Sequence, residues 1–385
     1  AEVNADIAEE VGEAEVAPEV DPEVEASDGS DADEVSDVPD VPDAPGARGP
    51  YAVGYRSDEL TYDPGDGSGP RTLRVVYWYP SAATTGAAVS YLGLLPADVL
   101  GDAAPAALGP RPMVVFSHGN SAFAEQSFFF TELLASHGYV VAAMDHTGNT
   151  FADSADIRVF HWRPKDVSAV IDHLEAPAHP LAALVSEHIA VAGHSFGGYT
   201  TMAAGGARWD VDGILAYCVT EEIPLDGCAA IEADQAIYRA GFLDARVDAL
   251  IPMAPGAVFV FGQGVADIAR PTLLITAARD ATTPNADDGD PAWAQLAIGA
   301  DNRRIDFANG GHFTFSDACA LPLGIGENDG CGGDFITSEA AHRAVNAYAL
   351  AFLRRHLEGD ERDAGLLDGE IAIEPDVTLS IGAAP

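Results

Sequence analysis

The run Gly193-His-Ser-Phe-Gly197, inside the longer stretch from His188 to Gly198, carries the residue types of a nucleophile elbow. A β-type run, Ile189-Ala-Val-Ala192, leads into it, and a small-residue segment of helical potential follows over 196–204. On such a strand-to-helix turn the serine takes a strained backbone conformation. Glycines two residues before and after it are required where neighbouring backbones approach too closely for a Cβ. The turn exposes the hydroxyl and aims helix N-terminal N–H groups at any oxyanion formed there. The chemistry this arrangement suits is attack on a carbonyl, with Ser195 as the nucleophile.

A bare pentapeptide of this kind recurs by chance, so its partners must be found. The elbow resembles that of the α/β-hydrolase fold, in which an acid and then a histidine follow the serine in chain order. Downstream, the apolar run Pro271-Thr-Leu-Leu-Ile-Thr-Ala277 leads into Ala278-Arg-Asp280, which puts Asp280 just past a strand's C-terminal end. Asp287, Asp288 and Asp290 compete for the acid's role but sit in a Gly/Asp-rich loop that reads as solvated. A last strand over 304–308 runs into Asn309-Gly-Gly-His-Phe313. Of 11 histidines, His312 alone follows a Gly-Gly turn downstream of both partners. Upstream, a strand over 113–117 ends in His118-Gly-Asn120. The fold's pattern assigns the oxyanion donors to the N–H of Phe196 and the N–H of Asn120. His118 precedes the nucleophile and reads as a structural histidine buried against the loop.

Phe116-Ser-His-Gly-Asn120, Gly193-His-Ser-Phe-Gly-Gly198 and Gly311-His-Phe-Thr-Phe315 resemble the motifs of serine hydrolases related to platelet-activating-factor acetylhydrolases. They are similar also to bacterial proteins called predicted dienelactone hydrolases, and more distantly to cutinase-like polyester hydrolases. Gly49-Pro-Tyr-Ala-Val-Gly54, Trp78-Tyr-Pro80 and Asp145-His-Thr-Gly-Asn149 fit the same group, so the likeness spans roughly residues 49 to 357. Dienelactone hydrolases proper use a cysteine nucleophile where this chain has Ser195. The acetylhydrolases place their acid after the sixth strand, and the matching Ile251-Pro-Met-Ala-Pro-Gly256 has no carboxylate, which leaves Asp280 after the seventh. The resemblance implies a serine ester hydrolase with no metal and no organic cofactor. Its substrates would be short-acyl esters or polyesters, aromatic polyesters such as PET included. A phospholipase A2 of the acetylhydrolase type is the alternative, and a non-catalytic binding module is the alternative from another class. Phe151, Phe259 and Phe313 are candidate substrate contacts, with Phe196 and Trp162 as further aromatic candidates.

The 385 residues carry a net charge of −42, unevenly spread. Residues 1–48 hold 17 acidic residues, one arginine and no aromatic residue; the remainder has 44 acids against 18 bases. The first 48 residues cannot bury enough apolar surface to offset their ordering entropy and read as a disordered acidic linker. The acidic remainder disfavours nucleic acid as a partner. No apolar run is long enough to span a bilayer. The chain begins with Ala1, and an acidic linker ahead of a compact domain is what removal of an export signal would leave, so a secreted, periplasmic or outer-membrane-anchored monomer is expected. Cys218, Cys228, Cys319 and Cys331 lie outside the core strands in two Gly/Pro/Asp-rich regions and lack zinc-type spacing. They read as two disulfides, with local pairs 218–228 and 319–331 favoured and cross-linked pairs left open.

The expected fold is α/β, an α/β-hydrolase with a mostly parallel eight-stranded sheet covered by helices on both faces. The strands are 52–62, 72–79, 113–117, 139–145, 189–193, 249–253, 273–277 and 304–308. The helices are 122–136, 164–174, 196–204, 291–298 and 338–357. Residues 49–357 form the domain. The segment 216–244 is read as a small cap insertion near the elbow, and 358–385 as a C-terminal extension without assigned structure.

Overall fold

The computed structural model describes residues 45–383, apart from 154–156, 220–224, 300 and 323. The expected linker lies almost wholly outside the described residues. Its last few residues join the domain, where Arg48 pairs with Glu132 (3.2 Å) and Asp98 (2.9 Å).

The chain opens with β1 (Ala52–Tyr62), β2 (Arg71–Ser81), β3 (Ala87–Tyr91) and β4 (Leu95–Gly101). It continues through β5 (Arg111–Ser117), α1 (Phe128–Ser136), β6 (Val140–Met144), α2 (Val159–Glu175), β7 (Val185–His194) and α3 (Phe196–Ala204). Three short helices follow, α4 (Val211–Cys218), α5 (Leu225–Ala233) and α6 (Gln235–Ala240). Then come β8 (Val247–Met253), β9 (Leu273–Ala277), α7 (Gly289–Leu296), β10 (Arg303–Phe307), α8 (Ser338–Leu353), α9 (Ala364–Leu367) and β11 (Val377–Ile381). The sheet order is β11-β10-β9-β8-β7-β5-β6-β2-β1-β4-β3, and the six strands from β10 to β6 run parallel. Those central strands are buried on both sides, so they read as continuous apolar runs rather than alternating ones. Successive residues serve opposite layers: Met113, Val115 and Val191 pack beneath α2 and α3, while Val114, Phe116 and Ala192 pack beneath α1 and α8.

Among the described residues the sheet has 11 strands rather than eight. The β3–β4 hairpin escaped the sequence reading because its tip is Leu92-Gly93-Leu94, with Leu92 itself at φ 53°, and not a usual Asn-Gly or Asp-Gly turn. The expected C-terminal extension supplies β11, which pairs antiparallel with β10 and closes that edge of the sheet. Helix α2 starts at Val159, one turn before Pro164. Pro164 has no N–H to give the Phe160 carbonyl, and the Tyr199 hydroxyl donates to that carbonyl instead (2.7 Å). The segment expected as a cap contributes side chains to the core. Tyr238 of α6 packs on Trp209 and His161, and Ile231 of α5 joins the same core layer, so this insertion extends the core on the α2/α3 side. Its residues 220–224 lie outside the described ones.

Candidate functional site

Ser195 stands between β7 and α3 with φ 58° and ψ −119°, a left-handed conformation that a serine holds only when its surroundings fix it. The fixing bonds are backbone ones: Ser195 N–H donates to the Met253 carbonyl (2.9 Å), and its own carbonyl accepts from Gly198 (2.8 Å) and Gly256 (3.0 Å). A Cβ at Gly193 or Gly197 would run into the Ser117 carbonyl, which is why glycine is needed at both places. Helix α3 begins at the next residue, so the Phe196 N–H has no intrahelical partner. The Phe196 ring turns away into the core, stacked on Tyr199 at 5.2 Å with the Arg163 guanidinium 4.8 Å from its centre.

His312 follows β10, and its Nδ1 donates to Asp280 Oδ2 (2.9 Å), both side chains being buried. Asp280 is tied in turn by the Thr282 and Thr283 N–H groups (2.9 and 2.6 Å) and the Thr283 hydroxyl (2.8 Å). This leaves the carboxylate one orientation, toward the imidazole. The competing acids are spoken for. Asp288 accepts from the Val258 N–H (2.9 Å), Asp290 pairs with Arg304 (2.7 Å), and Asp287 is exposed. Burial, aided by the charges of Asp287 and Asp280, pushes the Asp288 carboxyl up to about 6.

Ser195 and His312 open onto one cleft of about 620 Å³. Asn120 lines it too, its Oδ1 accepting from Asn149 Nδ2 (2.8 Å). His118 is buried as expected: its Nδ1 donates to the Gly119 carbonyl (2.7 Å), and its Nε2 accepts from the His146 N–H (3.1 Å). Of the aromatic candidates, Phe151 and Phe313 line the cleft, Phe151 being 67% exposed. Phe259 is exposed elsewhere, and Trp162 lies under Arg71 and Arg158. The remaining walls were not foreseen. Leu92 and Leu94 come from the unexpected hairpin, Phe123 from the loop before α1, and Leu321 and Ile325 from the segment after His312. An unusually apolar turn, Leu92-Gly-Leu-Leu95, was the one sequence signal available for the first pair. Among the described residues, none of the 211–240 insertion lines the cleft, and no lysine, arginine, aspartate or glutamate does.

The cysteines form Cys218–Cys228 and Cys319–Cys331. The second closes a loop that carries Asp329. One oxygen of Asp329 accepts from the N–H groups of His312 (2.9 Å) and Ala281 (3.0 Å), and the other from the Thr282 hydroxyl (2.7 Å). Burial opposes ionisation of Asp329, but these donors hold its carboxyl below the usual range. One carboxylate thereby joins the loop of Asp280 to the loop of His312.

Two other clusters have chemically suggestive composition. Ser117 Oγ lies 2.9 Å from His146 Nε2, whose Nδ1 donates to Asp166 (2.8 Å), but all three are fully buried and Arg163 donates to the same hydroxyl (3.0 Å). Asp58, His173 and His179 have metal-ligand types, yet the Leu181 N–H donates to His179 Nδ1 (3.2 Å), which leaves the ring proton on Nε2. That nitrogen lies 3.4 Å from Asp58, which also takes His173 Nε2 (3.2 Å) and the Tyr77 hydroxyl (2.8 Å). Protons, rather than lone pairs, face the carboxylate, so the cluster is accounted for without an ion.

A family model described as serine aminopeptidase, S33, matches residues 109–218, which contain β5, the elbow and the helix after it. A cutinase, Est1, of Thermobifida alba is 22% identical over 233 residues, which is 60% of this chain and 55% of that one. The match thus spans about half the length of this curated relative. A ferulic acid esterase from Streptomyces cinnamoneus superposes with a TM-score of 0.64 at 27% identity, covering 88% of this chain and 98% of the other. The fold is that of the α/β-hydrolases, and these last two likenesses are to carboxylic ester hydrolases.

Proposed function

We propose that the protein is a carboxylic ester hydrolase in which Ser195 attacks the ester carbonyl and His312 takes its proton. His312 then returns that proton to the leaving alcohol, while Asp280 holds the imidazole tautomer and stabilises the imidazolium. The Asn120 and Phe196 N–H groups receive the oxyanion, and water hydrolyses the acyl-enzyme. The observation that carries this reading is the 2.9 Å bond to Asp280, itself held by three donors, from a His312 that lines the cleft onto which the positive-φ Ser195 opens.

The cleft favours an uncharged acyl group. Its walls include Phe123, Phe151, Phe313, Leu92, Leu94, Leu321 and Ile325, and among the described residues no cationic side chain lines it to meet a phosphate. That speaks against the phospholipase alternative and for apolar or aromatic acyl esters, in keeping with likeness to a cutinase and a ferulic acid esterase. Leu92, Leu94, Phe151 and Ile325 stand exposed at the rim and leave it open to chain ends of a polyester. Two disulfides suit an oxidising compartment and support export. Incubation with a fluorophosphonate followed by peptide mapping tests the core of the reading. Ser195 is expected to be the labelled residue, and a protein that stays unlabelled would be a binding module. Turnover of nitrophenyl esters graded by chain length, a feruloyl ester, a polyester film and a short-chain phospholipid then ranks the substrates, the phospholipid last.

A further inference from the structure

Gln126 and His194 both touch the cleft, both are buried, and neither takes part in the chemistry proposed above. The Gly119 N–H donates to Gln126 Oε1 (2.7 Å), Gln126 Nε2 meets His194 Nδ1 (2.5 Å), and His194 Nε2 meets the His312 carbonyl (2.8 Å). The ends of this chain fix every role within it. A backbone carbonyl only accepts, so His194 Nε2 carries the proton. A neutral imidazole then offers Nδ1 as an acceptor, so Gln126 must turn its amide NH₂ toward it and its oxygen toward Gly119, whose N–H only donates. Burial pushes the His194 imidazole well below its ordinary value, in accord with the neutral form.

The three stations of the chain are the three pieces that must meet in the reaction. Gly119 precedes Asn120, the proposed oxyanion donor. His194 precedes the nucleophile, and its ring packs 4.7 Å from that of His312. The far end is the backbone of His312 itself. We propose that Gln126 and His194 are positioning residues that lock the oxyanion loop to the histidine loop across the nucleophile elbow. The proposal rests on the esterase reading of Ser195.

The chain predicts a loss in kcat rather than in binding, because misplaced oxyanion donors cost stabilisation that exists only in the transition state. Full-length Gln126→Met keeps side-chain length and removes both bonds. It is expected to lower kcat on nitrophenyl butyrate about 10- to 100-fold with KM within about twofold, and to slow fluorophosphonate labelling of Ser195 by a similar factor. Gln126→Glu, which can share one proton with His194 and still accept from Gly119, is expected to recover most of the loss. His194→Asn is too short to bond at both ends and should reproduce the Met phenotype. The double variant should lose little more than the worse single one, since the bonds act as a unit. A Gln126→Met or His194→Asn protein that turns over and labels at the wild-type rate overturns the proposal, as does a loss confined to thermal stability or KM. If Gln126→Met does not fold, His194→Asn decides. Wild-type protein that fails to label at Ser195 would instead bring down the esterase reading and the proposal with it.

Discussion

Two Ser, His and Asp sets lie in this molecule, and by hydrogen bonding alone the sealed one is the more complete. Ser117, His146 and Asp166 are joined at 2.9 and 2.8 Å, with the ring proton on Nδ1 as a catalytic histidine would hold it. Their surroundings differ from those of Ser195, His312 and Asp280 in three respects. Ser117 ends a regular strand between packed layers, whereas Ser195 is raised on a positive-φ turn into a cleft. Arg163 donates to the Ser117 oxygen, drawing electron density from the atom that would attack. Only Ser195 precedes a helix whose first N–H is free to meet an oxyanion. Access, backbone strain and a free helix N–H, more than the bonded trio, set the proposed nucleophile apart from the buried serine.

The sealed set has its own task. Arg163 is fully buried, which pulls its guanidinium down to about 9, and it donates to Asn149 (2.5 Å), Thr200 (3.0 Å) and the His118 carbonyl. Asn149 then holds Asn120. The buried network thus props the loop whose N–H is proposed to receive the oxyanion.

The sharpest way to break the comparison is to delete each serine. Ser195→Ala and His312→Ala are expected to lower kcat about 10⁴- to 10⁶-fold with little change in Tm, because members of such a trio act together. Ser117→Ala should keep kcat within about tenfold and lose about 1–3 kcal/mol of stability by denaturant titration, through unmet bonds of Arg163 and His146. A catalytically dead Ser117→Ala protein that folds normally would reverse the assignment. Next in size, Asp280→Asn should cost about 10³- to 10⁴-fold in kcat by favouring the wrong tautomer, and near-wild-type turnover would move the acid's role elsewhere.

Asp166→Ala should act on stability instead. It strips Arg71, the Tyr62 hydroxyl and His146 of a shared buried partner and is expected to destabilise by about 3–5 kcal/mol, with the surviving folded protein still labelled at Ser195. A smaller effect is expected where the acid and histidine loops are joined. Asp329→Ala, or selective reduction of Cys319–Cys331, should lower kcat about tenfold, since small misplacement of a catalytic group is costly. Unchanged kcat in both would mean the two loops keep their places unaided. The smallest effect concerns Asp288. Its folded carboxyl titrates at about 6, above the unfolded value, so the folded state keeps a proton that the unfolded chain releases. Stability should therefore fall as pH rises from about 4 to about 6 and then level off. Asp288→Asn should gain on the order of 1 kcal/mol above pH 6, with the gain gone below pH 4. A gain that persists in acid would assign the effect to something other than this proton.

What the sequence by itself determined is what short-range sterics and strand ends impose. Gly193 and Gly197 mark the elbow because no Cβ fits there, and Gly310-Gly311 ahead of His312 marks the turn back toward the strand ends. Asp280 was legible as a candidate because it follows an apolar strand directly, and the central parallel strands because burial on both faces leaves uninterrupted apolar runs. The tertiary structure alone decided the rest. Leu92 and Leu94 became cleft walls through a hairpin with no usual turn signal, and β11 came from a chain end without clear periodicity. Within the insertion, Tyr238 and Ile231 found apolar partners in the core, which their spacing does not announce. Ser117 with His146, and Gln126 with His194, meet across 29 and 68 residues of chain. Contacts at such separations satisfy buried polar groups and leave no repeating mark in the sequence, so only the packed fold could bring them together.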